Sequence, residues 1–124
     1  MAKPKKNLQT LERKVIPKNT PIFREGDPGN NAYVVQKGCV EIWKTEGGDK
    51  IILGVIGRGG VFGEMALVDS EPRMASATTL EPTICLVISD RIFSEKLDEA
   101  DPFVVALLRI FCRNIRAMQT TAED

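Results

Sequence analysis

Between Val15 and Gly57 the chain never runs far before a turn signal interrupts it. The stretch VIPKNTPIFREGDPGNNAYVVQKGCVEIWKTEGGDKIILGVIG holds short apolar runs separated by EGDPGNN (residues 25–31), QKG (36–38) and EGGD (46–49). QKG reads as a tight hairpin between strands at 32–35 and 39–43, and EGGD as another leading into a strand at 50–56. In that strand Ile51, Leu53 and Val55 are expected on one face, Ile52 and Ile56 on the other. TICLVIS (83–89) reads as a further strand, apolar on both sides. Many short strands at regular spacing predict a β-sandwich or barrel.

The texture changes at Asp90. DRIFSEKL begins with an aspartate suited to N-capping and continues in helix formers. DPFVVALLRIFCRNIRAM then opens with Asp101 as a second N-cap and Pro102 at the first helical position. Along it Phe103, Leu107, Ile110, Phe111, Ile115 and Met118 follow a helical stripe, which Val104, Val105 and Leu108 widen. Either the stripe packs onto the β-unit, or part of it meets the same helix of a second subunit through residues 102–118. The expected class is thus mainly β with terminal helices.

Composition removes whole classes of function. There is no histidine, so His-based metal sites and Ser-His or Cys-His nucleophile pairs are excluded. Three cysteines, Cys39, Cys85 and Cys112, lie far apart without a CxxC; Cys39 and Cys85 fall in apolar strand patterns and are expected as buried reduced thiols in a cytoplasmic protein. No metal and no catalytic residue is predicted. Lys plus Arg and Asp plus Glu number 17 each, which gives no general attraction to nucleic acid. Residues 1–14 read as a basic leader, carrying Lys3, Lys5, Lys6, Arg13 and Lys14 against Glu12. The amino end lacks an apolar secretory core, and the apolar run at 103–108 is too short to cross a bilayer. Neither membrane nor nucleic acid is an expected partner.

One segment does not fit a plain core. GRGGVFGEMALVDSEPRMASATT, residues 57–79, holds four glycines, then Glu64, then Arg73 nine positions later. A phosphate ester held inside a barrel needs free backbone N–H groups, which a glycine turn feeding a short helix supplies. Gly59, Gly60 and Gly63 permit that approach, and EMALV can form one helical turn. The anion also needs a fixed charge whose planar fork bonds two oxygens, which selects Arg73. A sugar hydroxyl nearby would want a carboxylate acceptor, and Glu64 is the candidate. The plainer alternative is an internal salt bridge between Glu64 and Arg73.

FGEMAL followed by PRMA resembles the phosphate-binding cassette of the cyclic-nucleotide-binding domain family, which includes catabolite activator proteins and regulatory subunits of cyclic-AMP-dependent kinase. Phe62, Gly63, Glu64, Met65, Ala66, Leu67, Pro72, Arg73 and Ala75 carry the match. IFREGDPGNNAYVVQKGCVEI resembles the family's early hairpin, and DRIFSEKLDEADPFVVALLRIF its closing helices. The resemblance implies a double-stranded β-helix, or jelly-roll barrel, over residues 15–120 with a short tail at 121–124. It implies that Arg73 pairs with a cyclic phosphate and Glu64 accepts a ribose 2′-hydroxyl. Amides around Gly63, Met65, Ala66 and Ala75 complete the anion site. Ile42, Leu53 and Gly54 fall on the apolar wall near the base, and Gln119 and Thr120 at polar contacts to it. Met74 departs from the pattern, where relatives carry a small residue or a threonine. It offers no hydroxyl to a guanine edge, which favours cyclic AMP over cyclic GMP, but its bulk crowds the pocket. The implied function is a cyclic-AMP sensor, not an enzyme, signalling through an effector protein or a homodimer. A fold that has lost its ligand and serves as an interaction scaffold is the alternative.

Overall fold

The computed structural model describes residues 11–121, with side chains as far as Met118. Eight strands come first: β1 (Glu12–Ile16), β2 (Pro21–Phe23), β3 (Asn31–Lys37), β4 (Val40–Glu46), β5 (Asp49–Ile56), β6 (Val61–Phe62), β7 (Ser76–Thr79) and β8 (Thr83–Ser89). A one-turn helix α1 (Met65–Asp69) interrupts them between β6 and β7, and α2 (Asp90–Glu99) and α3 (Pro102–Thr121) follow.

The strands form two four-stranded antiparallel sheets, ordered β1-β8-β3-β6 and β2-β7-β4-β5, the two walls of a jelly-roll barrel. Apart from the β4–β5 hairpin, consecutive strands are split between the walls, so the chain crosses the barrel repeatedly and each wall is built from distant segments. The core between them is Ile16, Tyr33, Val35, Val40, Phe62, Ala77, Cys85 and Val87, with Ile22, Phe23, Ile42 and Ile56 packed against it. In β8, Thr83, Cys85 and Val87 point inward by the two-residue period, and the strand is laddered on both sides by β1 and β3. Thr79 is fully buried, and its Oγ1 donates to Pro17 O at 2.6 Å and accepts from Thr20 N at 2.8 Å. That hydroxyl stitches the β1–β2 connection to the opposite wall.

Three details differ from the sequence reading. Glu12, Arg13 and Lys14, expected in the leader, are paired with Val87, Leu86 and Cys85 of β8. Their side chains are exposed, so the strand is held by its backbone ladder and leaves no apolar alternation to read. In β5 the register jumps, Ile42 pairing Gly54 while Trp43 pairs Ile52. Leu53 is the extra residue of this bulge, so the expected two-face alternation fails and Ile51, Ile52 and Val55 are all exposed. Ser89, not Asp90, caps α2: it is extended, and its Oγ accepts from Ile92 N at 3.2 Å. Asp101 does serve α3, accepting from Phe103 N at 2.8 Å.

Helix α3 leans on α1. Along it Cys112 is buried, whereas Phe103, Val104, Leu107, Leu108, Ile110, Phe111, Ile115 and Met118 are exposed. Packing onto the barrel therefore accounts for little of its apolar stripe. No described helix is long and apolar enough to cross a membrane.

Candidate functional site

The site grows out of the link from β6 to β7. Gly63 follows β6 with φ +80°, in the left-handed region where a side chain is strained. A Cβ there would also sit 2.8 Å from Arg73 Nη1. Glu64 then takes helical angles at the N-cap position of α1, without capping it through its side chain. Ala66, Leu67 and Val68 are its buried residues, and the helix packs beside α3 and α2. The amide of Ala66 has no hydrogen-bond partner among the described residues. Ser70, at φ 59°, ends the turn, and three residues later comes Arg73.

Arg73 is buried, only 6% exposed. Its backbone is clasped by the β2–β3 loop: Arg73 N donates to Asp27 O at 2.8 Å, and Gly26 N donates to Arg73 O at 2.9 Å. Its guanidinium donates through Nη1 to Gly63 O at 2.7 Å and through Nη2 to Asn31 O at 2.6 Å. It lies 3.9 Å over the ring of Phe23, a cation–π contact. Phe23 in turn packs with Tyr33 and Phe62 at centroid distances of 6.2 and 6.0 Å, and those two rings stack at 5.1 Å. Gly29 makes this close fit possible, because a Cβ there would fall 2.4 Å from Ala66 Cβ and 3.0 Å from the guanidinium carbon. Nε remains buried with no hydrogen-bond partner. Loss of hydration pulls the Arg73 pKa down, while Tyr33, Asp27 and Glu64 act the other way.

Glu64 is half-buried, and burial pushes its carboxyl above the ordinary value; the amides of Glu64 and Met65 and the charge of Arg73 partly offset this. Among the described residues no ion pair joins Glu64 to Arg73. The internal salt bridge weighed from the sequence is therefore absent. A buried cation with an unspent donor and an unpaired carboxylate border the same space.

That space is a cavity of about 180 Å³. Gly63, Glu64, Met65, Ala66, Arg73, Met74, Ala75 and Ile42, all singled out in the sequence, line it together. Leu53 and Gly54 do not; the apolar wall is instead Ile42 with Phe23, Ile56, Val61 and Phe62. Gly54 stays opposite Ile42 but has no side chain to present, and Leu53 is the extra residue of the bulge. The side chains of Gln119 and Thr120 lie outside the described residues. Sequence reasoning missed Gly29, Asn31 and Arg116, the last reaching the cavity from α3. Nothing local marks them, since each acts on the cassette from more than thirty positions away. No group of three or more His, Cys, Asp or Glu among the described residues could hold a metal ion.

The chain matches the family described as the cyclic nucleotide-binding domain over residues 13–100. It belongs to that family. This cyclic nucleotide-binding domain is 39% identical to the cyclic AMP receptor protein of Thermus thermophilus over 82 residues, 65% of this chain and 38% of the relative. It is 27% identical to a CRP-like cAMP-activated global transcriptional regulator of Mycobacterium tuberculosis, over 96% of this chain and 52% of the relative. The chain thus spans about half the length of these relatives or less. Among solved structures, the cAMP-bound form of the EAL enzyme Bd1971 superposes with a TM-score of 0.85 at 34% identity, covering 90% of this chain and 30% of that one. The catabolite activator protein of Thermus thermophilus gives 0.74 at 31%, covering 94% and 55%.

Proposed function

We propose that this domain is a sensor of cyclic AMP, without a catalytic step of its own, that hands its occupancy to an effector protein or to a second copy of the chain. One observation carries the reading: Arg73 is buried yet keeps Nε unspent beside a cavity. A buried guanidinium without a full set of partners is costly, and an anionic guest removes that cost. In this reading the cyclic phosphate meets Arg73 and the free amide of Ala66. The ribose 2′-hydroxyl donates to Glu64, and the base lies along Ile42 and Ile56. At about 180 Å³ the open-sided cavity is below the roughly 300–1,000 Å³ typical of small-ligand pockets, so in this reading it takes the phosphate and ribose and leaves the base on the open side.

The relative Bd1971 has been captured with cAMP and with cGMP. Met74, at the cavity wall, presents no hydroxyl to a guanine edge and favours adenine. Helix α3 is the proposed output: its exposed apolar stripe from Phe103 to Met118 fits a partner helix, and a homodimer through 102–118 is the simplest arrangement.

Calorimetric titration of the protein with cyclic AMP and cyclic GMP is the test. Saturable heat with cyclic AMP, and weaker binding of cyclic GMP, is expected. No heat and no thermal shift with either nucleotide overturns the sensor and leaves the ligand-free scaffold, for which the bulk of Met74 in the cavity is the physical cause.

A further inference from the structure

Among the described residues, Arg116 is the side chain of α3 that lines the cavity. Its Nε donates to Asp69 Oδ2 at 2.6 Å and its Nη2 to Asp69 Oδ1 at 3.2 Å, a fork-on-carboxylate pair. Its Nη1 donates to Pro72 O at 3.1 Å. Both partners are only 22% and 16% exposed at the side chain, which sets the pair apart from loose surface contacts.

The two anchor points are what matter. Asp69 is the last residue of α1, and Pro72 immediately precedes Arg73. One guanidinium therefore grips both ends of the short link that runs from the α1 turn to the phosphate-site arginine. Asp69 Oδ1 also accepts from Glu71 N at 3.1 Å, so the carboxylate ties down the link from inside as well. Arg116 borders the ligand cavity too.

Resting on the reading that this cavity takes a cyclic nucleotide, we propose that Arg116 is a positioning residue for it. By clamping Asp69 and the Pro72 carbonyl, it holds the α1–Arg73 link in binding geometry and couples that geometry to the seat of α3. Coupling is reciprocal: if the clamp raises affinity by some factor, bound nucleotide strengthens the clamp by the same factor. Lysine cannot replace it, because a single ammonium does not make a two-point carboxylate contact and reach a separate carbonyl in a fixed fork.

The test has two arms on the same proteins: wild type, Arg116→Met, Arg116→Lys and the reversed pair Asp69→Arg with Arg116→Asp. Without nucleotide, hydrogen exchange is followed at the amides of Leu67, Val68, Ser70 and Arg73, whose bonds define the link. With cyclic AMP, affinity is measured by calorimetry. Arg116→Met is expected to speed exchange at those amides and to raise Kd roughly fivefold to tenfold. Arg116→Lys should fall between it and wild type, and the reversed pair should recover part of the affinity. Faster exchange with Kd within twofold of wild type overturns the proposal and reduces Arg116 to a strut for α3. Unchanged exchange overturns the clamp itself. A wild type that binds neither cyclic AMP nor cyclic GMP overturns the role in binding along with the functional reading; a persisting exchange response separates that result from failure of the clamp.

Discussion

Arg73→Lys isolates the feature on which the proposed function rests, because it keeps the charge and removes the fork. In the wild-type protein two donors are committed to the carbonyls of Gly63 and Asn31, at 2.7 and 2.6 Å, and Nε is unspent. A lysine ammonium has three donors on one nitrogen. If two replace the bonds to Gly63 and Asn31, one is left for the phosphate, and the paired contact of a guanidinium on two oxygens is lost. Losing one charge-assisted hydrogen bond costs about 1.5–3 kcal/mol, so Kd for cyclic AMP should rise roughly tenfold to a hundredfold. Ligand-free stability should change far less. The carbonyls keep their partners, and the main loss is weaker stacking on Phe23, on the order of 1 kcal/mol. Calorimetry gives the first quantity and denaturant unfolding without nucleotide gives the second. A Kd within threefold of wild type in a folded variant refutes the assignment of Arg73 to the anion. So does an affinity loss that only mirrors a comparable loss of stability.

Glu64→Gln should stabilise the nucleotide-free protein at pH 7 while weakening nucleotide binding. Its folded carboxyl titrates above the ordinary value near 4.5, so its contribution is favourable below that value and is lost as pH rises. Melting curves should show the gap between variant and wild type closing as pH falls through 4.5; a gap of the same size at pH 4 contradicts this. Gly29→Ala drives a methyl into Ala66 and the Arg73 guanidinium, and should cost about 1–3 kcal/mol and weaken binding together, as followed by denaturant midpoint and titration. Thr79→Val keeps the volume but leaves the Thr20 amide and the Pro17 carbonyl without their hydroxyl, an expected loss of about 1–3 kcal/mol in urea unfolding with little effect on Kd.

The cassette was legible because its chemistry is local. Gly63, Glu64, the α1 turn and Arg73 lie within eleven residues, and these are the residue types that the proposed anion site calls for. The class of fold was legible for a similar reason, since turn signals recur through the first two thirds of the chain and a capped, apolar helix follows. The charged strand β1 was not, because its pairing with β8 is made by backbone groups that every residue carries. The bulge at Leu53 was not, because register is decided by the partner strand rather than by the strand itself.

The residues alone determined that the chain is a mainly β domain with a glycine turn, a carboxylate and one arginine gathered in one short stretch, and that histidine chemistry is closed to it. Tertiary structure decided the rest. Only the fold brings Asn31, Gly29 and Phe23 around Arg73, sets Arg116 on Asp69 and Pro72, and leaves Glu64 and Arg73 unpaired. These contacts span 42 to 50 positions of chain, and at that separation proximity is fixed by how two sheets close on each other, which no window of sequence encodes.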